Sequence, residues 1–230
     1  VRRRSWPCDR DSTALLNRLV ALEDLLDTTA GSYPFPGDLP ALRELAWVYE
    51  PYRRFRLSGE IDKKDASSYL GVVSDVEHRI MAYLTNKGSS IDLDTRYERL
   101  PGGSGGWAML REVGAQARLG AVSDGIHAYV AVRERPDKSF TYTLWRMSVF
   151  IDFPVPDLLA ALNRAEIEAR HEGAEHSMAA YGDFWGGGDT VGGSPRVRGS
   201  VLKPDQVAAV VNKVLVDRKL PAGILGRKVP

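Results

Sequence analysis

A chain of 230 residues has room for one large domain or two small ones, and its 43% hydrophobic and 27% charged residues match an ordinary globular protein. Its 31 basic and 30 acidic residues leave a formal charge of +1, which excludes bulk electrostatic capture of nucleic acid or of an anionic membrane. The single cysteine, Cys8, excludes an internal disulfide and any Cys/His zinc spacing, and no apolar run reaches the ~20 residues of a membrane span. A lone thiol without a signal core predicts a reducing, cytoplasmic location. The chain begins at Val1 rather than Met, as a fragment or a trimmed protein does.

In chain order, Asp11-Ser-Thr reads as a helix N-cap, and leucines at helical spacing carry a first helix to about Thr28. Breakers at 31–37 end it, and a second helix is predicted over Pro40–Val48. A third runs from about Lys64 to Asn86, with Tyr69, Leu70, Val73, Val76, Ile80, Met81 and Leu84 on its inner face and Gly88 closing it. Beyond Gly88 the pattern changes. Ile91, Leu93, Thr95 and Tyr97 alternate as a half-buried strand does, and Trp107–Leu119 mixes a strand with a helix. His127–Arg133 and Phe140–Ser148, joined by the turn at Arg135–Lys138, read as a β-hairpin. A helix over Pro156–Arg170, a glycine-rich stretch, a strand at Val197–Leu202 and a helix at Pro204–Asp217 complete the order. The predicted class is α+β. A helical segment over 1–88 precedes an α/β domain over 89–230, whose mixed, mainly antiparallel sheet is flanked by helices.

Four groups of residues are candidates for chemistry. The first is Trp185–Arg198, WGGGDTVGGSPRVR. The backbones of Gly186, Gly187, Gly188, Gly192 and Gly193 permit close approach and an N–H nest for an anion. Thr190 and Ser194 add hydroxyls. Arg196 and Arg198, two apart, share a face if the segment is extended, and two guanidinium forks suit phosphate or carboxylate oxygens. The same residues also describe a tight loop with solvated arginines. The second is Arg146, on the hairpin strand with Ser148, either a partner for the same anion or half of a surface ladder pair.

The third is Asp24 and Asp27. Three apart on the first helix, they are either ligands for a divalent cation, Mn²⁺ or Mg²⁺, or a solvated acidic face. The fourth is histidine. His171 and His176 are five apart, not the four that brings two imidazoles onto one helical face, so a solvent-exposed helix end is preferred to zinc. Cys8 has no nucleophile signature around it.

The C-terminal half resembles the accessory domain of the DHH-type phosphoesterases, the RecJ-like and oligonucleotide or polyphosphate hydrolases. Gly192-Gly-Ser-Pro-Arg-Val-Arg-Gly199 is similar to the family's Gly-Gly-His-Pro-x-x-x-Gly phosphate-binding signature, and Tyr142–Pro154 is similar to the hairpin and exit segment of one branch. Glu23–Ala30 is similar to the stretch where a family Asp completes the metal site. The resemblance implies phosphate binding by Ser194, Arg196, Arg198 and the glycine backbone, with Arg146 assisting. It also implies a metal contribution from Asp27 and Asp24 wherever a catalytic half is present.

The chain departs from the family in two places. It has no Asp-His-His and no Asp-x-Asp motif, and Ser194 stands where the family has histidine. The expectation is therefore the substrate-holding, C-terminal part of a metal-dependent phosphoesterase, inactive alone, whose metal-binding half is missing or on a separate polypeptide. The partner is a phosphate-containing small molecule or short oligonucleotide, with no membrane. The alternatives are a non-catalytic nucleotide- or anion-binding module, and an interaction protein that forms a homodimer through a face bearing Trp47, Tyr49 and Tyr52.

Overall fold

The computed structural model describes residues 6–7, 9–36, 38–104, 106–170 and 182–219. Cys8, His171, His176 and the tail from 220 onward lie outside the described residues. The chain divides into two units, Val1–Tyr97 with Val113–Gly125, and Glu98–Glu112 with Ile126–Pro230. The architecture is α+β: a helical N-terminal segment followed by a six-stranded mixed, mostly antiparallel sheet with helices.

The first unit contains α1 (Arg10–Thr28), α2 (Pro40–Leu57), α3 (Ala66–Leu84) and the short α4 (Ala117–Ser123). The cap of α1 is Asp9, two residues before the expected Asp11, and its carboxylate accepts from the Ser12 N–H at 2.9 Å. Asp65 caps α3 in the same way through the Ser67 and Ser68 N–H groups. The Ser68 hydroxyl and these N–H groups favour the ionised form, so the Asp65 carboxyl titrates below its ordinary value. The three long helices meet at Leu19, Leu45, Val48, Tyr83 and Leu84.

Two expectations fail here. The second helix does not stop at Val48; it runs through Pro51 to Leu57. Proline has no N–H for the carbonyl four residues back, which is that of Trp47. Arg79 on α3 supplies the missing donor, its Nη1 lying 2.5 Å from the Trp47 oxygen. The Arg79 guanidinium also pairs with Glu50 at 3.0 Å and lies 5.3 Å from the Trp47 ring centroid. The apolar stripe of α3 is only half used. Val76 and Ile80 pack on the core, but Tyr69, Leu70 and Val73 are exposed, although the Tyr69 ring lies 6.4 Å from that of Phe55 on α2.

The second unit is built on the sheet β1-β2-β3-β4-β6-β5, with β1 Tyr97–Leu100, β2 Ala108–Glu112, β3 Ala128–Glu134, β4 Phe140–Arg146, β5 Gly186–Gly187 and β6 Val191–Gly193. β2 and β3 are parallel, and β3–β4, β4–β6 and β5–β6 are antiparallel. In the β3–β4 hairpin Tyr129 sits opposite Trp145, and their rings stack at 5.2 Å. Val130, Val132, Tyr142 and Leu144 alternate onto one face of the sheet. There they pack with Leu158 and Leu162 of α5 (Val155–Ala169) and Val207 and Val211 of α6 (Pro204–Lys219).

The strands expected at 91–97 and Val197–Leu202 do not form as such. Only Tyr97 of the first belongs to β1, and the second is reduced to one bridge between Ser200 and Phe140. Residues 196–198 form a turn instead.

Beneath this turn lies a buried polar hub. Glu166 of α5 is fully buried. One carboxylate oxygen accepts from Arg170 Nε at 2.8 Å and from the Val201 N–H at 2.9 Å. The other accepts from Ser200 Oγ at 2.5 Å and Trp185 Nε1 at 3.0 Å. With four donors on two oxygens, the buried charge is satisfied, and α5 is tied to both ends of the glycine-rich stretch. Among the described residues no helix is long and apolar enough to cross a membrane.

Candidate functional site

The glycine-rich segment folds as a short β5–β6 hairpin on the edge of the sheet, followed by the 196–198 turn. Its glycines have separate reasons. A Cβ on Gly187 would lie 2.3 Å from the Val191 carbonyl oxygen, and one on Gly192 would lie 2.8 Å from a Leu159 methyl. These two glycines let the hairpin close and let α5 pack beneath it. Cβ atoms on Gly186 and Gly188 would meet open space, so neither contact nor backbone conformation requires glycine there.

The turn does form a nest of backbone donors, but the protein fills it with its own anion. The buried carboxylate of Asp183 accepts from the Val197 N–H at 2.8 Å and the Arg198 N–H at 2.9 Å. Ser194 is also buried and takes part in the sheet. Its Oγ accepts from the Tyr142 N–H at 2.9 Å and its N–H donates to the Tyr142 carbonyl at 3.1 Å. Burial raises the Tyr142 hydroxyl well above its ordinary value, with Glu166 and Asp205 adding to the rise, so it stays protonated and donates to the Leu202 carbonyl at 2.7 Å.

Arg146 is engaged by backbone carbonyls. Its Nε donates to the Asp189 carbonyl at 2.8 Å, and its Nη1 lies 3.1 Å from the carbonyls of both Val149 and Ile151. The guanidinium thus joins the β5–β6 turn to the chain leaving β4.

A recess of about 370 Å³ opens beside the hairpin. The structure gathers Gly186, Gly187, Gly193, Ser194 and Arg196 around it, together with Asp183. Gly188, Thr190, Gly192, Arg198 and Arg146 are not among its walls. Because 196–198 is a turn, the alternation that would put Arg196 and Arg198 on one face does not apply. Arg196 is exposed, and among the described residues no hydrogen bond or ion pair engages it.

Asp24 and Asp27 are both exposed on the last turns of α1. Among the described residues no three carboxylate, imidazole or thiolate groups gather as a metal site would need. Any metal contribution from Asp24 and Asp27 would need further ligands from outside the described residues. His78 and His127 are exposed, on α3 and before β3.

The first unit holds a feature that the sequence reading missed. A cavity of about 210 Å³ is lined wholly by residues of that unit. Tyr49, Tyr52, Arg53 and Arg56 reach it from α2, at positions i, i+3, i+4 and i+7 of one helical face. Glu23 and Asp27 reach it from α1, and Arg118 from α4. The signal was present as that spacing, but it lies beyond Val48, where the helix was expected to end. Tyr49 and Tyr52 belong to this cavity wall rather than standing only as surface aromatics.

Compared with known protein families, with curated proteins and with solved structures, the chain matches none.

Proposed function

We propose that the second unit is a binding module for a small phosphate-bearing ligand, a nucleotide or the end of a short oligonucleotide, held in the 182–197 recess. One observation carries this reading: Arg196, exposed and without a hydrogen bond or ion pair among the described residues, stands on a recess of about 370 Å³ whose other walls include glycine backbone. A guanidinium so placed offers two parallel N–H donors to phosphate oxygens. Gly186 lines the recess, with no steric need to be glycine, where a ligand's approach needs the space. β5 is the edge strand, so one side of its backbone is outside the ladder and open to a ligand. Asp183 does not oppose the anion strongly, because two backbone N–H groups already offset its charge. The resemblance to the phosphate-binding signature of the DHH-type phosphoesterases points the same way.

The reading assigns no bond-breaking step to this chain. It is the substrate-holding part of a phosphoesterase or a free-standing module, and binding is independent of metal in either case. Calorimetric titration with a nucleoside monophosphate and a short oligonucleotide tests it. Arg196→Ala is expected to weaken binding by about 1 kcal/mol, roughly fivefold, the scale of a charged hydrogen bond at an exposed site. Affinity unchanged in the variant removes the assignment, and robust Mn²⁺-dependent phosphodiester hydrolysis by this chain alone removes its non-catalytic character.

A further inference from the structure

The cavity of the first unit stands on different residues from the phosphate recess, and it carries a separate inference. Its wall contains two polar atoms, Arg53 Nε and Glu23 Oε2, that are closed to solvent and have no hydrogen-bond partner. A guanidinium N–H closed to solvent without an acceptor is costly, and such a donor points to a missing partner. Of the surrounding charges Glu23 offsets part of that cost and Arg118 adds less to it.

Three properties of the cavity define what fits. The first is sign. Three arginines, Arg53, Arg56 and Arg118, face two carboxylates, Glu23 and Asp27. Burial raises the Glu23 carboxyl above its ordinary value, with Arg53 opposing and Asp27 adding to the rise. Burial likewise pulls the Arg53 guanidinium down, although Glu23 and Tyr49 oppose it. An incoming anion would relieve that desolvation. The second is polarity. Leu42, Leu45, Leu93 and Leu119 line the same space, and an inorganic anion would leave this apolar wall unused. The third is size. About 210 Å³ is below the ~300–1,000 Å³ of sites for drug-sized ligands, so the ligand is smaller, on the order of ten non-hydrogen atoms.

We infer that this cavity is a binding site for a small organic carboxylate with an apolar body, its carboxylate on Arg53 and its body against the leucine wall. The polar end of the cavity comes from the Tyr49–Arg56 face of α2, and Leu42 and Leu45 supply the apolar end of the same face one to two turns earlier. One helix thus presents the charge and the apolar contact in order along its length.

The test uses the full chain in thermal-shift and calorimetric titrations. The probes are benzoate, 4-methyl-2-oxopentanoate, benzamide as the uncharged counterpart of benzoate, and inorganic phosphate. The inference expects saturable stabilisation by at least one of the carboxylates, and none by benzamide or phosphate. Arg53→Met is expected to weaken carboxylate binding at least tenfold, with a cooperative melting transition of the ligand-free variant showing that it still folds. Arg53→Lys, which keeps the charge but loses the fork, is expected to weaken binding by less. Arg196→Ala is expected to leave carboxylate binding intact, so failure at the phosphate recess and failure here are distinguishable. The inference is overturned if neither carboxylate binds below 10 mM, if phosphate or benzamide binds as well as the carboxylates, or if Arg53→Met leaves carboxylate affinity unchanged.

Discussion

Glu166→Gln tests whether the glycine-rich segment is held in place from below. Glu166 is fully buried and its two oxygens accept four hydrogen bonds, from Arg170, Val201, Ser200 and Trp185. Glutamine has the same shape but replaces one oxygen with an NH₂ group. The best placement puts the amide nitrogen toward Ser200, whose hydroxyl can turn to accept. The Trp185 indole N–H then faces a donor and is left unsatisfied, at about 1–3 kcal/mol for a buried polar group. Arg170 loses its countercharge in a pair whose side chains are 13% and 0% exposed. Breaking a buried pair from one side costs roughly 3–5 kcal/mol in all. A domain stable by ~5–15 kcal/mol loses a large share of that margin.

Urea denaturation followed by tryptophan fluorescence reads the effect, since Trp107, Trp145 and Trp185 all belong to the second unit. With a slope of about 2 kcal/mol per molar urea, the midpoint is expected to fall by roughly 2 M at unchanged slope. A fall below about 0.5 M, equivalent to ~1 kcal/mol, would refute the view that this carboxylate organises the segment.

Two further predictions concern the first unit. Arg79→Ala removes the donor that satisfies the Trp47 carbonyl beside Pro51, and is expected to cost about 2–3 kcal/mol. In a Pro51→Ala background, which restores an N–H to that carbonyl, the same change is expected to cost at least 1 kcal/mol less; a double-mutant cycle that closes additively sinks the argument. Gly120→Ala adds a good helix former to α4, worth about 1 kcal/mol on propensity alone. The new Cβ would lie 2.2 Å from the Thr95 backbone carbonyl oxygen, which cannot swing aside as a side chain would. The melting temperature is therefore expected to fall, by an amount matching about 1–3 kcal/mol of overpacking, and a rise would show that the backbone yields there.

Local pattern was enough to determine much of this protein. Leucine spacing marked α1, the turn at Arg135–Lys138 between two strand-like runs marked the β3–β4 hairpin, and the order of helices and strands marked the α+β class, because each is written within a few dozen residues. Glycine with arginine in one stretch also picked out the segment that lines the recess. Tertiary structure decided the rest. α2 continues through Pro51, and Arg79, 28 positions further on, supplies the donor that proline lacks. The nest at 197–198 is closed by Asp183, which sequence reading had no reason to pair with it. Arg146, alike in sequence to a ligand-binding arginine, holds three backbone carbonyls instead. Arg53 became a candidate only when α1, α2 and α4 folded around it and left its Nε sealed without a partner. The physical reason is common to all four. A side chain's chemistry is set by which donors, acceptors and apolar walls the fold brings within a few ångströms of it, and residues far apart in the chain supply most of them.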